Sequence, residues 1–462
     1  MMRTDWKGKR VTILGGARQG QAAARWLARH GAHVTVNDRR TADQMKDAKL
    51  ALEDLPVTWI LGGHPLEILN LTDVLCLSGG IPLDNPLILE AGRRGIPLTN
   101  DTQVFMEVVP CPTIGITGSA GKTTTTALVG QMGQKAAGRK IHQAWIGGNI
   151  GDPLLNYVDE MTKEDLAILE ISSFQLEQMS LSPSLAAILN ITPNHLDRHD
   201  TMEAYTAAKK RILDFQKKID TAVLCREDPG SWQLRSAAHG RIVSFGTEAL
   251  PGQQEGTYLA DGVLVLHTQN GNTSLLKQDE IRLRGDHNLM NVLAAFAIGY
   301  ASELPVEAMQ AAAREFRSVP HRLEFIREWN GAQWYNDSIA TAPERTMAAI
   351  RSFSEPIVLL LGGRDKDLPW DELANLVRQR VDHVILFGEA AGKIEAALQQ
   401  ASGPLPQTLE RCQSLEAAVN IAARVARPGD VVLLSPGGTS FDQFRDFEER
   451  GKAFQQWVSE LS

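Results

Sequence analysis

Residues 115–124, with the sequence GITGSAGKTT, have the residue types of a phosphate-binding loop. An apolar stretch precedes them, and the residues that follow have the apolar spacing of a helix. A strand–loop–helix junction of this kind points backbone N–H groups and the helix N terminus at an anion. Lys122 supplies a positive charge for the β- and γ-phosphates, and Thr123 supplies a hydroxyl for Mg²⁺. The segment therefore predicts a nucleoside triphosphate site, in an energy-consuming enzyme or a nucleotide switch.

The loop is a shortened variant of the P-loop. The strict pattern needs a glycine five residues before Gly121, where this chain has Ile116, and Gly118 stands in its place. The alternative is a Gly-Lys-Thr turn that arose by chance, because short motifs carry a risk of false matches.

A second glycine-rich turn, residues 15–20, lies between an apolar strand and a helix, and Asp38 follows about 20 positions later. This is close to the dinucleotide-binding fingerprint, but the middle glycine is replaced by Ala17. Arg39 and Arg40 directly follow the acid. We interpret the unit as a nucleotide or nucleotide-diphosphate site, with Asp38 at a ribose or base and the arginines near phosphates. An NAD site and a turn without a ligand are the alternatives.

An acidic residue ends a later apolar strand. Glu170 directly follows the apolar residues 166–169. A carboxylate at the tip of a buried strand, downstream of a phosphate-binding loop, suits a Mg²⁺ ligand. An ordinary acid at a strand end is the alternative interpretation.

The elements that must position these residues alternate between strands and helices, which predicts an α/β protein with parallel, helix-covered sheets. We expect a Rossmann-like domain at residues 1–100, a central ATP-binding domain at 101–318, and a second Rossmann-like domain at 319–462. Residues 221–283 instead contain short alternating runs and turns, which predict a small antiparallel appendage on the central domain.

The overall composition describes a cytoplasmic globular protein. The chain has 462 residues, 43% of them hydrophobic and 22% charged, and a net charge of −8, which argues against nucleic acid as a partner. Its four cysteines are far apart and form no metal-type pair. We expect no signal peptide and no membrane span, because the N terminus lacks an apolar region and no apolar stretch approaches about 20 residues.

Seven motifs occur in an order and spacing that resemble the Mur ligases of peptidoglycan synthesis, and the resemblance covers nearly the whole chain. The motifs are TGSAGKT at 117–123, GGNIG at 147–151, EISSFQL at 170–176, NITPNHLDR at 190–198, GDHN at 285–288, PHR at 320–322 and NDS at 336–338.

The resemblance implies a three-domain, ATP-dependent amide ligase that adds D-glutamate to UDP-N-acetylmuramoyl-L-alanine. ATP would phosphorylate the alanine carboxylate, and the amino group of glutamate would attack the acyl phosphate. The implied cofactors are ATP and Mg²⁺ at two sites. The implied partners are these small molecules only, and we expect a monomer.

The resemblance also assigns roles to individual residues. The expected ATP-binding residues are Gly118, Ser119, Ala120, Gly121, Lys122, Thr123, Thr124, Asn288, Arg322 and Asp337. The expected residues for the uridine diphosphate substrate are Arg18, Gln19, Asp38, Arg39, Arg40, Gly80 and Asn149. The expected glutamate-binding residues are Thr341, Lys366, Ser440 and Phe447. The expected metal ligands are Thr123, Glu170, His195 and Lys209, and the expected catalytic residues are Lys122, His195 and Lys209.

Lys209 is an unusual metal ligand, because an ammonium repels cations. In the family, the matching lysine is carbamylated, which makes it an anion. Carbamylation needs the neutral amine, so the site must overcome an ordinary pKa of about 10.4. Lys210 is adjacent but lies on another helix face, and His199 is a second histidine close to His195.

The chain departs from the family where many members have Asp-Ser-Lys-Ala-Thr-Asn, because Ile339 and Ala342 replace the lysine and the asparagine. A cation and a hydrogen-bonding amide are therefore missing near the expected glutamate and phosphate sites. Either Lys366 and Arg364 compensate for them, or the amino-acid site is reshaped.

Other functions therefore stay open. One is the same ligation with L-glutamate, and another is a different ligase of this superfamily, such as a folylpolyglutamate synthetase, which has no uridine-binding domain before its phosphate loop. A non-catalytic nucleotide-binding protein is disfavoured by the intact Lys122, Glu170, His195 and Lys209. A dehydrogenase is disfavoured by Ala17.

Overall fold

The computed structural model describes residues 5–194, 196–250, 252 and 254–462, without the side chains of residues 196 and 197. The chain divides into two compact units. The first comprises residues 1–281 and 286–316, and the second comprises residues 282–285 and 317–462.

The first unit begins with a five-stranded sheet. Its elements are β1 (Arg10–Leu14), α1 (Arg18–Arg29), β2 (His33–Asp38), α2 (Lys46–Leu50), β3 (Val57–Leu61), β4 (Val74–Leu77), α3 (Pro86–Arg93), β5 (Leu98–Asn100) and α4 (Asp101–Val108). The strand order is β3-β2-β1-β4-β5, and all of these pairs are parallel. The order reverses between β1 and β4, and such a switch point is where open α/β sheets bind ligands.

The same unit contains a nine-stranded sheet. Its elements are β6 (Thr113–Thr117), α5 (Lys122–Ala136), β7 (Ala144–Gly148), β8 (Leu166–Glu170), α6 (Ser173–Leu176), β9 (Leu185–Ile188), α7 (Leu196–His199), α8 (Met202–Asp214), β10 (Thr221–Cys225), α9 (Pro229–Trp232), β11 (Arg241–Phe245), β12 (Gly256–Ala260), β13 (Val263–Thr268), β14 (Gly271–Lys277), α10 (Asp286–Ala301) and α11 (Val306–Glu315). The strand order is β14-β13-β12-β11-β10-β9-β6-β8-β7.

The predicted antiparallel appendage is smaller than expected. Strands β12, β13 and β14 pair antiparallel, as predicted. The expectation was wrong for β10 and β11, which pair parallel with each other and continue the parallel sheet through β9. Short alternating runs have the same period in both kinds of sheet, so the sequence pattern could not distinguish them.

The sequence predicts a helix from about Met202 to Lys217, but α8 ends at Asp214. The amide of Lys217 donates to the Asp220 carboxylate at 2.6 Å, and the Asp220 amide donates to the Lys217 carbonyl at 3.0 Å. This local turn uses backbone groups that a longer helix would need.

The second unit is a six-stranded sheet covered by helices. Its elements are β15 (Glu324–Trp329), β16 (Ala332–Asn336), α12 (Pro343–Arg351), β17 (Ile357–Gly362), α13 (Asp371–Arg380), β18 (His383–Phe387), α14 (Ala391–Gln400), β19 (Thr408–Arg411), α15 (Leu415–Val425), β20 (Val431–Gly437) and α16 (Phe447–Glu460). The strand order is β15-β16-β20-β17-β18-β19, and only the β15–β16 pair is antiparallel. Every residue of β17 and β20 is buried, as expected for central strands covered on both faces.

None of the helices in the described part of the chain is both long enough and apolar enough to cross a membrane.

Candidate functional site

The phosphate-binding loop joins β6 to α5, as predicted, and Gly121 makes its sharpest turn. Gly121 has a φ of 82°, in the left-handed region that favours glycine. A Cβ atom at this position would lie 2.2 Å from Oδ1 of Asn291, which projects from α10. The loop therefore needs glycine here for its backbone conformation and for space. Asn291 was not predicted from the sequence, although it lies one helical turn after Asn288.

The other side of the loop is held by the segment that follows β9. The amide of Ala120 donates to Asn190 Oδ1 at 2.8 Å, and Ser119 Oγ donates to the Thr192 carbonyl at 2.9 Å. The Tyr205 hydroxyl of α8 adds a hydrogen bond to Ser119 Oγ at 3.1 Å. These bonds fix the loop backbone before any phosphate binds, which is how a preorganised anion site is built.

Two lysines from different helices reach the loop. Nζ of Lys122, the first residue of α5, and Nζ of Lys209, on α8, each donate to the Gly118 carbonyl oxygen at 2.9 Å. Lys209 also lies 3.4 Å from the Thr117 hydroxyl and is only 1% exposed. The predicted residue Lys209 therefore faces the loop, whereas Lys210 forms an ion pair with Asp214.

Burial lowers the pKa of Lys209 well below its ordinary value. The positive charge of Lys122 lowers the pKa further, and the negative charge of Glu170 partly opposes both effects. Because a buried ammonium is costly, the neutral amine is favoured at this position.

Glu170 is the last residue of β8 and is 2% exposed. Its Oε1 accepts a hydrogen bond from Asn149 Nδ2 at 3.1 Å, whereas its buried Oε2 has no hydrogen-bond partner. A buried carboxylate oxygen without a partner is costly, and a cation would satisfy it. The site therefore fits a Mg²⁺ ion that takes one or two protein ligands and keeps waters and phosphate oxygens. The described residues contain no cluster of three His, Cys, Asp or Glu side chains that could hold a metal.

The remaining predicted nucleotide residues of the first unit surround this loop. Thr123 is half-buried and Thr124 is buried in the first turn of α5. Asn288 is buried on α10, where its Oδ1 accepts from Asn291 Nδ2 at 3.0 Å. The predicted ligand His195 lies outside the described residues.

A buried serine, a buried histidine and a half-buried glutamate lie close to the end of β8. Ser173 Oγ and His199 Nε2 are 2.9 Å apart, and His199 Nδ1 is 3.1 Å from Glu177 Oε1. A serine, a histidine and a carboxylate bonded in this order form the catalytic triad of many hydrolases. Here Ser173 and His199 are both buried, so a substrate could not reach the serine hydroxyl. We interpret the three residues as a connection that ties α6 to the segment before α8.

The glycine turn of the first sheet is braced by Asp38. The carboxylate of Asp38 accepts from the Gly16 amide at 2.8 Å and from Arg40 Nη2 at 2.7 Å. Burial alone would raise the pKa of Asp38, but the hydrogen bonds from Arg40 and Gly16 outweigh it and hold the pKa well below its ordinary value. Asp38 therefore stays ionised and orients the turn, and its contact with a ribose or base remains a prediction.

The other predicted residues of this site lie around the switch point of the sheet. Arg18 and Arg39 are exposed, Gln19 is half-buried, and Gly80 is exposed with a φ of 96°. Arg198, which precedes α8, donates through Nη2 to the Ile81 carbonyl at 2.6 Å. The turn after β4 is therefore connected to the segment that also holds the phosphate-binding loop.

In the second unit, the four predicted glutamate-binding residues lie at one edge of the sheet. Thr341 follows β16, Lys366 follows β17, Ser440 follows β20, and Phe447 begins α16. Strands β16, β20 and β17 are adjacent and parallel, so the segments that follow them meet at the same edge.

A buried arginine holds these segments together. Arg450 donates through Nε and Nη2 to Ser338 at 3.0 and 2.8 Å, and through Nη1 to the Gly438 carbonyl at 3.1 Å. Burial lowers the pKa of Arg450 to about 10, while Asp442 and Asp337 oppose the shift. Arg450 was missed in the sequence, because nothing in its helical position indicates that it is buried.

Asp337 lies at the same edge and is buried. Its Oδ1 accepts from the Leu323 amide at 3.2 Å, and its Oδ2 accepts from Ser435 Oγ at 2.8 Å. Burial raises the pKa of Asp337 to about 7, although the Ser435 hydrogen bond and the charge of Arg322 lower it. The carboxyl therefore changes charge near neutral pH.

The two departures from the family pattern are also at this edge. Ile339 is half-buried, and its carbonyl accepts from Arg345 Nη1 at 3.2 Å. Ala342 is the N-cap of α12 and supplies no side-chain hydrogen bond. Arg364, one of the cations expected to compensate, is already bound to Glu389 by two hydrogen bonds of 2.9 Å.

Models of three domains match the chain. They are the Mur ligase MurD-like N-terminal domain at residues 9–100, the Mur ligase middle domain at 116–299, and the Mur ligase glutamate ligase domain at 321–438.

Similarity to individual relatives covers nearly the full length of the chain. It is 39% identical to the UDP-N-acetylmuramoylalanine–D-glutamate ligase of Symbiobacterium thermophilum, with 98% of each chain covered. It is 40% identical to the ligase of the same name from Acidobacterium capsulatum, over 98% of this chain and 97% of the relative.

Solved structures resemble the fold at lower identity. UDP-N-acetylmuramate-alanine ligase MurC from Thermotoga maritima has a TM-score of 0.59 and 18% identity, over 98% of this chain and 100% of that chain. MurF from Acinetobacter baumannii has a TM-score of 0.57 and 18% identity, over 97% of this chain and 94% of that chain. Likeness at this identity shows the fold alone, and with the three domain matches it confirms the predicted α/β architecture.

Proposed function

The chain belongs to the Mur ligase family, and we propose that it joins D-glutamate to UDP-N-acetylmuramoyl-L-alanine with hydrolysis of ATP to ADP and phosphate. The names of relatives that are 39% and 40% identical support this substrate pair. The reaction would form an amide bond in the synthesis of a peptidoglycan precursor. A cytoplasmic location and a monomeric state stay predictions from the sequence.

The observation that carries the proposal is the convergence of Lys122 and Lys209 on the Gly118 carbonyl, beside the buried and unpartnered Oε2 of Glu170. In the first step, a carboxylate must approach a polyphosphate, so an anion meets an anion. Positive charge is needed to offset this repulsion before in-line transfer can occur. Lys122 supplies it at the start of α5, where the helix N terminus also favours negative charge.

The proposed reaction has two steps. An oxygen of the alanine carboxylate forms a bond to the γ-phosphorus of ATP, and the bond from that phosphorus to the bridging oxygen of ADP breaks. The neutral amino group of glutamate then attacks the acyl carbon, loses a proton, and expels phosphate. The chain's own contribution is to position these groups and to stabilise their charge.

The described donors suited to a metal are the Thr123 hydroxyl and the Glu170 carboxylate, with His195 predicted as a further ligand. When bound, Mg²⁺ would neutralise phosphate charge and orient the oxygens that react. We propose that Lys209 is carbamylated. Its burial and the proximity of Lys122 support this, because both favour the neutral amine that carbamylation requires.

We propose that the glycine turns of the first sheet bind the uridine diphosphate, through Arg18, Gln19, Arg39, Arg40 and Gly80. Asn149, which contacts Glu170, would lie near the acceptor carboxylate.

We further propose a glutamate site and additional ATP-binding residues. The residues proposed to bind glutamate are Thr341, Lys366, Ser440 and Phe447, and those proposed to bind ATP are Arg322, Asp337 and Asn288. The division into domains at residues 1–100, 101–318 and 319–462 is part of this proposal. It is supported by the sheets, because each of the three ranges contains all the strands of one sheet.

The deciding experiment is phosphate release from ATP in the presence of UDP-N-acetylmuramoyl-L-alanine, with D-glutamate compared with L-glutamate. We expect release with D-glutamate and formation of the ligated product by mass spectrometry. Release with L-glutamate alone would refute the stereochemistry and indicate that the region of Ile339 and Ala342 is reshaped. No release with either amino acid would refute the assigned acceptor pair.

A further inference from the structure

Two cations, Arg345 and Lys366, lie at this edge of the second sheet. Arg345 lies in the first turn of α12, and Lys366 lies in the segment after β17. Within the part of the chain that the structure describes, neither side chain forms an ion pair with a carboxylate. Arg345 donates through Nη1 to the Ile339 carbonyl at 3.2 Å, which places its guanidinium beside the segment that carries Thr341.

Neighbouring cations at the same edge differ in this respect. Arg364 is held by Glu389 in a bidentate pair at 2.9 Å. Lys393 is paired with Asp365, and Arg450 is buried and bonded to Ser338 and Gly438. The charges of Arg364 and Lys393 are therefore offset by carboxylates bonded directly to them. Arg345 interacts with the charge of Asp337, and Lys366 with that of Glu344, without a salt bridge, so both can still bind a ligand.

Arg345 and Lys366 also act on each other. Burial lowers the pKa of Lys366, the charge of Arg345 lowers it further, and the charge of Glu344 partly opposes this. Two cations that repel each other without a bound counter-charge would be stabilised by an anion between or beside them.

We propose that Arg345 binds one carboxylate of the incoming amino acid, and that it supplies with Lys366 the two positive charges that a dicarboxylate substrate requires. This inference rests on the proposed function, in which that substrate is glutamate. The family pattern has a lysine at position 339, where this chain has the uncharged Ile339. The Ile339 carbonyl accepts a hydrogen bond from the Arg345 guanidinium, which places a positive charge close to that position. Arginine suits the role because its planar fork can bind both oxygens of a carboxylate.

The test compares steady-state kinetics of the full-length wild-type chain with those of Arg345→Ala and Arg345→Lys. Arg351→Ala is the matched control, because Arg351 is an exposed arginine in the last turn of the same helix. We expect the KM for D-glutamate to rise about 10- to 100-fold in Arg345→Ala, which is the usual loss for a charged hydrogen bond. The KM values for ATP and for UDP-N-acetylmuramoyl-L-alanine should stay within about twofold of wild type.

Arg345→Lys keeps the charge but not the fork, so we expect an intermediate KM for D-glutamate. The inference is overturned if the KM for D-glutamate is unchanged in Arg345→Ala, or if only kcat falls. It is also overturned if Arg351→Ala has the same effect as Arg345→Ala. Circular dichroism and the melting temperature check the fold, and Arg345→Lys carries the test if the alanine variant does not fold.

The two proposals fail in different ways. A wild-type chain that ligates D-glutamate together with an unaffected Arg345→Ala variant refutes only the role of Arg345. A wild-type chain that ligates no glutamate refutes the proposed function, and the assignment of Arg345 falls with it.

Discussion

Lys122 and Lys209 share one acceptor, because each donates through Nζ to the Gly118 carbonyl oxygen at 2.9 Å. The two cations belong to different helices, α5 and α8, and only Lys209 is fully buried. Desolvation lowers the pKa of Lys209, and the positive charge of Lys122 lowers it further. If Lys209 becomes an anionic carbamate, the same proximity to Lys122 turns from repulsion into attraction.

The first prediction concerns Lys209→Ala. We expect kcat to fall by about 100-fold or more, because the anionic group that would help to hold the metal is lost. Short carboxylic acids such as acetate should restore part of the activity by entering the space left by the side chain. Carbon NMR with labelled bicarbonate would detect the carbamate directly in the wild-type chain.

Lys210→Ala is the control for this prediction. Lys210 is next in sequence but forms an ion pair with Asp214, so its loss should leave kcat nearly unchanged. Failure of acetate to rescue Lys209→Ala, in a variant that still folds and binds ATP, would count against the carbamate.

The second prediction concerns the unpartnered oxygen of Glu170. Glu170→Gln removes a buried negative charge whose Oε2 has no hydrogen-bond partner, so we expect the free energy of unfolding of the ligand-free chain to stay the same or to rise. The stabilisation by Mg²⁺ and ATP should be largely lost. In the wild type it should reach about 2.7 kcal/mol at a ligand concentration about 100 times Kd.

Thermal unfolding with and without Mg²⁺ and ATP measures both effects. Glu164→Gln is the control, since Glu164 is an exposed acid just before the same strand. A Glu170→Gln variant that is stabilised by Mg²⁺ and ATP as strongly as the wild type would show that this carboxylate does not hold the metal.

The sequence was most informative where backbone chemistry defines a motif. The loop around Gly121 and the strand ends at Glu170 and Asp38 were predicted from residue types and spacing alone. Lys209 could be identified only through the family resemblance, because a lysine on a helix gives no local sign of burial. Its 1% exposure is set by the packing of α8 against the loop, which is a tertiary property.

Some missed residues left a weak signal. Tyr205 lies four residues before Lys209 on the same helix, and Asn291 lies three residues after Asn288, so each shares a helix face with a predicted residue. The contact of Arg345 with the Ile339 carbonyl depends on the turn between β16 and α12. No periodic pattern in the sequence describes that turn, so the contact became visible only in the structure.

The third prediction concerns the shape of the phosphate-binding loop. Gly121→Ala would place a Cβ atom 2.2 Å from Asn291 Oδ1 at a φ of 82°. We expect a loss of stability of about 2–4 kcal/mol from strain and crowding together, and a loss of ATP affinity of at least about 10-fold because the loop must move.

Gly138→Ala separates these two causes. Gly138 has a similar φ of 74°, but a Cβ atom added there would have no other atom within 4 Å. We expect a loss of about 1–2 kcal/mol from strain alone and unchanged ATP affinity. Calorimetry and nucleotide titration measure the two quantities, and equal effects of both variants would contradict the crowding against Asn291.

The fourth prediction concerns the pH dependence of stability. Burial raises the pKa of Asp337 from 3.8 to about 7. Below 3.8 the carboxyl is protonated in both the folded and the unfolded chain, so no stability is lost there. As the pH rises towards about 7, Asp337 ionises in the unfolded chain but keeps its proton in the folded chain, and the free energy of unfolding falls.

Asp337→Asn removes this titration, so the free energy of unfolding of the variant should fall less than that of the wild type between about pH 5 and about pH 8, by up to a few kcal/mol. Urea unfolding at both pH values measures the difference, with Asp371→Asn as an exposed control in the same unit. Equal pH dependence in Asp337→Asn and the wild type would mean that Asp337 stays ionised in the folded chain.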